Sequence, residues 1–257
     1  MSTPDFAERV RNGTPTIGYW VVMDAPVASE RIARTGYDYV AIDAQHGLMG
    51  YSGWLANLMA IQAGGGAAGF VRVTANEPAA IGQALDAGAT GIIVPLIDTA
   101  DDARRLVASA KYPPLGARSY GPMRSGLRIG PTPAEADAAT LVFAMIETAE
   151  GLANADEIAA VDGIDGLYVG PSDLAIGIGG RGPGDPAVQE AFDDALRAVR
   201  AAASRHGKVA AIHTASGSLA SQRLAEGFTM VTVASDLVHL EQAARAHLDQ
   251  ARSAHSA

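Results

Sequence analysis

Six side chains carry most of the chemistry this sequence can offer. They are the carboxylates Glu147 and Asp173, the guanidinium of Arg72, the carboxylate–imidazole pair Asp43 and His46, and a second imidazole, His213. Each ends or interrupts a short apolar run: LVFAMIE closes on Glu147, GLYVGPSD on Asp173, YDYVAIDAQHG on Asp43, Gln45 and His46, FVRV holds Arg72, and KVAAIHTA holds His213. Two converging carboxylates suit a hard divalent cation, which takes oxygen ligands and keeps several waters. The alternative is that Glu147 caps a helix and Asp173 pairs with an arginine. Arg72 is costly to bury unpaired, so it either meets a carboxylate or points into a site, where it can hold a carboxylate or a developing oxyanion. Asp43 could orient one nitrogen of His46 and leave the other for proton transfer, or His46 could simply be satisfied in the rim. The loop GARSYGPMRSG (116–126) carries Arg118 and Arg124, which either cover an opening and recognise an anion or sit on a solvated surface or subunit contact. GIGGRGPG (177–184) lacks the G-K-[ST] ending of a phosphate loop.

For Glu147 and Asp173 to meet, the chain between them must return to the same edge. TAEGLANADEIAAV (148–161) reads as one helix with acids near its start, so the segment is strand–helix–strand. Such a crossover makes the strands parallel neighbours with their C-terminal ends on one side. The unit recurs. Strands are predicted at 16–23, 37–47, 69–75, 90–98, 208–215 and 228–236, besides the two already named. Helices are predicted at 1–13, 26–36, 51–66, 77–88, 99–112, 186–207, 217–227 and 237–253. Eight βα units in about 250 residues predict a (β/α)8 TIM barrel spanning 1–257 as a single domain. An open doubly wound sheet lacks its G-x-G-x-x-G after the first strand. In a barrel the site occupies the C-terminal rim, where Ser172, Thr214, Ser235 and Asp236 also fall.

Composition narrows the partners. The chain has 257 residues, 48% of them apolar, and a net charge of −9 with no dense basic run, which argues against nucleic acid and anionic membranes. It has no cysteine, hence no disulfide or thiolate chemistry. No signal-peptide core or run near the ~20 apolar residues of a membrane span is visible, so a soluble cytoplasmic protein is expected. The only lysines, Lys111 and Lys208, do not end strands, which disfavours a Schiff-base mechanism.

With these residues in view, the chain resembles the HpcH/HpaI aldolase family of metal-dependent pyruvate aldolases. The matching stretches are D-x-Q-H-G at 43–47, FVRV, TGIIVPLIDTADDARRLV at 90–107, YPPLGARSYGP at 112–122, MIETAEGLANADEIAAVDGIDGLYVGPSDLAIGIG at 145–179, and VAAIHTA. The resemblance implies that Glu147 and Asp173 bind Mg²⁺, Mn²⁺ or Co²⁺, and that pyruvate, or hydroxypyruvate, chelates this ion. It implies that Pro171, Ser172 and Asp173 hold the pyruvate carboxylate and that Arg72 stabilises the enolate. His46, oriented by Asp43, would move the proton at the C4 hydroxyl. It further implies a homo-oligomer, often a hexamer, with the last helix exchanged between subunits and Asp86 reaching a neighbour's site. The reaction implied is reversible cleavage of 4-hydroxy-2-oxoacids to an oxoacid and an aldehyde. Gln45 and Met145 depart from the family's commoner glutamate and glutamine, and His213 replaces a common aliphatic pocket residue, so it is the expected specificity contact. Two rivals share the scaffold: a citrate-lyase-β or malyl-CoA-type lyase, for which no CoA feature is seen, and a non-catalytic oxoacid-binding protein.

Overall fold

Strands that read as apolar on both faces need cover on both. A ring of helices outside and side chains filling the lumen supply it. The computed structural model describes residues 3–130 and 132–253. In chain order the elements are α1 (Thr3–Arg11), β1 (Thr16–Val21), α2 (Pro26–Ala33), β2 (Tyr39–Asp43), α3 (Tyr51–Gly64), β3 (Ala68–Arg72), α4 (Pro78–Asp86), β4 (Gly91–Val94) and α5 (Ala100–Ala110). They continue with α6 (Pro133–Ala139), β5 (Leu141–Ile146), α7 (Ala149–Ala153), α8 (Ala155–Ala159), β6 (Gly166–Val169) and α9 (Pro171–Gly177). The last are α10 (Gln189–Arg205), β7 (Val209–Thr214), α11 (Gly217–Ala225), β8 (Met230–Ser235) and α12 (Asp236–Ser253). All eight strands are parallel, each beside its chain neighbour, and β8 closes on β1. No helix among the described residues is long and apolar enough to cross a membrane.

The barrel has two apolar layers. Val40, Ile42, Ile92 and Val169 point outward against the helices, while Tyr39, Phe70, Phe143 and Tyr168 fill the lumen. Small residues make room for these rings. A Cβ at Gly18 would lie 2.1 Å from the ring of Tyr39, and one at Gly91 the same distance from that of Phe70. The hydroxyls of Tyr39 and Tyr168 are satisfied inside by Thr232 Oγ1, at 2.6 and 2.5 Å. The ring is sealed near its seam by Asp236, whose carboxylate accepts from the N–H groups of Val22 (3.0 Å) and Met23 (3.1 Å) beyond β1.

Four details correct or extend the expectations from sequence. The stretch 148–161 is two short helices, α7 and α8, that break at Asn154, whose amide donates to the Asp98 carbonyl at 2.7 Å. Helix α6 was not foreseen. Asp173 lies just past β6, as expected, and there it falls in the first turn of α9. The loop 116–126 belongs to the α5-to-β5 connection, so it sits at the N-terminal end of the barrel and does not cover its own subunit's C-terminal opening.

Candidate active site

Alternation along each strand carries the lumen-facing series upward to polar residues: Tyr39, Ala41, Asp43 on β2; Phe70, Arg72 on β3; Phe143, Met145, Glu147 at β5; Val209, Ala211, His213 on β7. Asp43 and Arg72 are register partners on adjacent strands. Arg72 donates through Nε to Asp43 Oδ1 (2.9 Å) and through Nη2 to Oδ2 (2.5 Å), a bidentate buried pair. Its guanidinium lies 5.1 Å from the Trp20 ring, whose Nε1 also donates to Asp43 Oδ2 at 3.2 Å. Asp43 Oδ1 accepts further from the backbone N–H groups of Gln45 and His46, both at 3.1 Å. Burial disfavours the Asp43 charge, but Arg72 and these donors hold its carboxyl below the usual range. Asp43 therefore fixes Arg72 and the turn that carries His46. It does not orient the His46 imidazole, because its acceptor positions are filled by other groups. The turn is tight: a Cβ on Gly47 would meet the Asp43 carbonyl oxygen at 1.9 Å. It leaves His46 exposed at the rim.

Glu147 is only 3% exposed. Its Oε1 accepts from the N–H of Leu96 at 2.9 Å, and its Oε2 faces Gly170, where a Cβ would intrude to 2.5 Å. Leu96 reaches this position with φ at 55°, a left-handed conformation rare for leucine. Burial pushes the Glu147 carboxyl above its ordinary value; the Leu96 N–H opposes this, and the charge of Asp173 adds to it. Asp173 is exposed at the same rim. A buried carboxylate strained by a like charge is relieved by a cation, so this donor set fits a divalent ion. Among the described residues no group of three or more His, Cys, Asp or Glu could hold a metal, so two carboxylates would leave most coordination positions to water and substrate.

His213 lies edge-on to Trp20, with ring centroids 5.2 Å apart. Burial, with the Arg72 charge adding, pushes it down to about 4, so it is neutral at neutral pH. Pro171 and Ser172 begin α9 beside it. Asp86 stands apart. It ends α4, at the N-terminal end of the barrel, and pairs with Arg118 at 2.6 Å. Arg124 is likewise tied there, donating to the Ala87 carbonyl and to Gln62 Oε1, each at 2.5 Å. Two participants had escaped the sequence reading. Trp20 hides in an apolar run, and only its lumen-facing parity marks it. The Leu96 N–H is backbone and leaves no residue-type signal.

Residues 16–243 match the HpcH/HpaI aldolase/citrate lyase family. The chain belongs to that family. Its members make or break carbon–carbon bonds, and the chain is a carbon–carbon lyase. It is 42% identical over 242 residues to a hydroxypyruvate/pyruvate aldolase of Rhizorhabdus wittichii, covering 94% of this chain and 96% of that one. It is 38% identical over 242 residues to a 4-hydroxy-2-oxovalerate aldolase of Rhodococcus jostii, covering 92% of each. A solved HpcH/HpaI family structure from Burkholderia cenocepacia superposes with a TM-score of 0.86 at 30% identity, over 97% of this chain and 99% of that chain. Two further residues lie against this site. Met145 is buried beneath Glu147, and Gln45 keeps its Oε1 buried with no hydrogen-bond partner among the described residues.

Proposed function

We propose that the chain is a divalent-metal-dependent pyruvate aldolase. It reversibly cleaves 4-hydroxy-2-oxoacids to pyruvate or hydroxypyruvate and an aldehyde. The observation that carries this reading is the buried Glu147 carboxylate, raised by burial and by Asp173, at the same barrel end as the clamped Arg72. Glu147 and Asp173 hold Mg²⁺, Mn²⁺ or Co²⁺; a cation bound there polarises the 2-oxo group as a Lewis acid. Arg72 has its Nε–Nη2 edge engaged by Asp43, which leaves Nη1 to donate to the oxygen on which enolate charge develops. The backbone at Pro171–Asp173 holds the oxoacid carboxylate. In cleavage, His46 takes the C4 hydroxyl proton, the C3–C4 electrons pass into the enolate, and C4–O becomes the aldehyde carbonyl. A proton then returns to C3.

The same reading covers assembly. The chain forms a homo-oligomer, a hexamer, in which α12 is exchanged and Asp86 serves a neighbour's site. Supporting this, α12 exposes Leu237, Val238, Leu240 and Leu248, and Asp86 lies at the far end from its own opening.

The test is a chelator-stripped preparation assayed with pyruvate and hydroxypyruvate against a panel of aldehydes, beside Glu147→Ala. Stripping is expected to abolish turnover and Mg²⁺, Mn²⁺ or Co²⁺ to restore it, while Glu147→Ala loses roughly a thousandfold or more with any metal. Full activity after stripping would refute the reading. Turnover confined to acyl-CoA substrates would move it to the CoA-dependent lyases.

A further inference from the structure

A cavity of about 480 Å³ opens beside the end of β7, outside the barrel lumen. Its walls are largely apolar: Val188 before α10, Phe192 on α10, Ile212 on β7 and Leu219 on α11. At one end it meets Pro171, Ser172 and His213, which border the proposed oxoacid site. Two buried polar atoms of its lining residues have no hydrogen-bond partner among the described residues, His213 Nδ1 and Arg223 Nε.

Arg223 is unusual for a helix arginine, with its side chain only 9% exposed. It stands on the last turn of α11 and lines the cavity together with Ile212 and His213 of β7. Nη1 pairs with Glu226 Oε2 at 2.7 Å, which leaves Nε a charged donor in a dry wall. Asp185 also lines the cavity, but its carboxylate accepts from the Arg181 N–H and Nε and from the Ala187 N–H, so the Nε of Arg223 is the one donor of an ionic side chain here without a partner among the described residues. Buried donors are rarely left unpaired, and an apolar cavity with a few convergent polar atoms is the ordinary form of a ligand site. The shape asks for a ligand that is apolar along its length and an acceptor at its end.

We propose that this cavity receives the chain of the aldehyde substrate, and that Arg223 Nε donates to a carboxylate at the chain's far end. Arg223 is then a specificity residue for ω-carboxylated aldehydes, lying on α11 rather than in the lumen. His213, neutral and flanked by Trp20, forms the neck between the two compartments.

The proposal rests on the aldolase reading, and the experiment separates them. Arg223→Met, alone and with Glu226→Gln to keep local charge balanced, is compared with wild type for condensation of pyruvate with succinic semialdehyde and with butanal. The ratio of kcat/KM for the carboxylated over the neutral aldehyde is expected to fall about 10- to 100-fold, mainly through KM, as for loss of a charge-assisted hydrogen bond. Arg223→Lys, which keeps the charge but not the Nε geometry, recovers part of that ratio. Glutarate, which has no carbonyl to react, is titrated calorimetrically into the same proteins and is expected to bind Arg223→Met at least tenfold more weakly. An unchanged ratio in a folded Arg223→Met protein, or glutarate affinity equal in both, overturns the proposal. If wild type turns over no aldehyde, the aldolase reading fails while the glutarate comparison still decides the cavity.

Discussion

At the scale of single residues, the site is organised by a carboxylate that is not itself the metal candidate. Asp43 gathers Arg72, Trp20 and the turn before His46 through hydrogen bonds to both of its oxygens. Arg72→Lys removes the planar fork that matches this carboxylate, and lysine cannot replace it. The expected result is a kcat lowered roughly 10²- to 10³-fold, measured by steady-state kinetics. Asp43→Asn leaves the guanidinium buried without its counter-charge, which is expected to cost about 3–5 kcal/mol in denaturant unfolding. His213 sets a pH dependence. Its folded value of about 4 lies below the ordinary 6.5. As pH falls from 6.5 toward 4, the unfolded chain takes up a proton that the folded one refuses, so stability present above 6.5 is lost across that window. The span corresponds to about 3 kcal/mol. Denaturation midpoints between pH 7.5 and 4 are expected to fall more steeply for wild type than for His213→Phe.

At the scale of elements, position depends on short devices at the ends of strands and helices. Gly170 follows β6 and leaves space for the Glu147 carboxylate; Gly170→Ala is expected to keep the barrel but weaken metal affinity at least tenfold, read by calorimetry. Thr99 closes a capping box on α5 with Asp102, so Thr99→Ala is expected to cost about 1 kcal/mol and lower Tm by about 2–4 °C. The eight strands were legible because each is a short apolar run stopped by glycine or polar residues. Glu147, Arg72 and Asp43 were legible because charge inside such runs is rare. Helix α6 was not, although its Thr132–Glu135 capping box was there to be read, because it follows a glycine- and proline-rich loop. The break at Asn154 was hidden because the apolar pattern runs through it, and the bond that causes it comes from Asp98, far away in sequence. The placement of Arg118 and Arg124 was knowable from topology alone, since any helix-to-strand connection lies at the N-terminal end. The Leu96 donor stays invisible even to alanine scanning, because replacing its side chain leaves its N–H in place.

At the scale of the molecule, α12 is the outlier. Eighteen residues long, it is exposed from Glu241 onward and shows four large apolar side chains at 37–56% exposure. If the proposed hexamer depends on this helix, deleting residues 237–257 is expected to give smaller species than the full chain in mass measurements at micromolar concentration. The far-UV signature of the barrel should be kept. The seam between β1 and β8 matters in another way. Trp20, which Arg72 and His213 both rest against, belongs to the first strand, while the Asp236 carboxylate that holds the chain just beyond that strand is made more than two hundred residues later. Contacts of such long separation form late. On the ribosome, Asp43, Arg72 and Glu147 emerge well before the strand that closes the ring, so a nascent chain holds the reactive groups for much of its synthesis without the enclosure that makes them an enzyme. Catalysis is thus expected only once β8 has closed the ring on β1, and a chain ending before β8 should carry none of it.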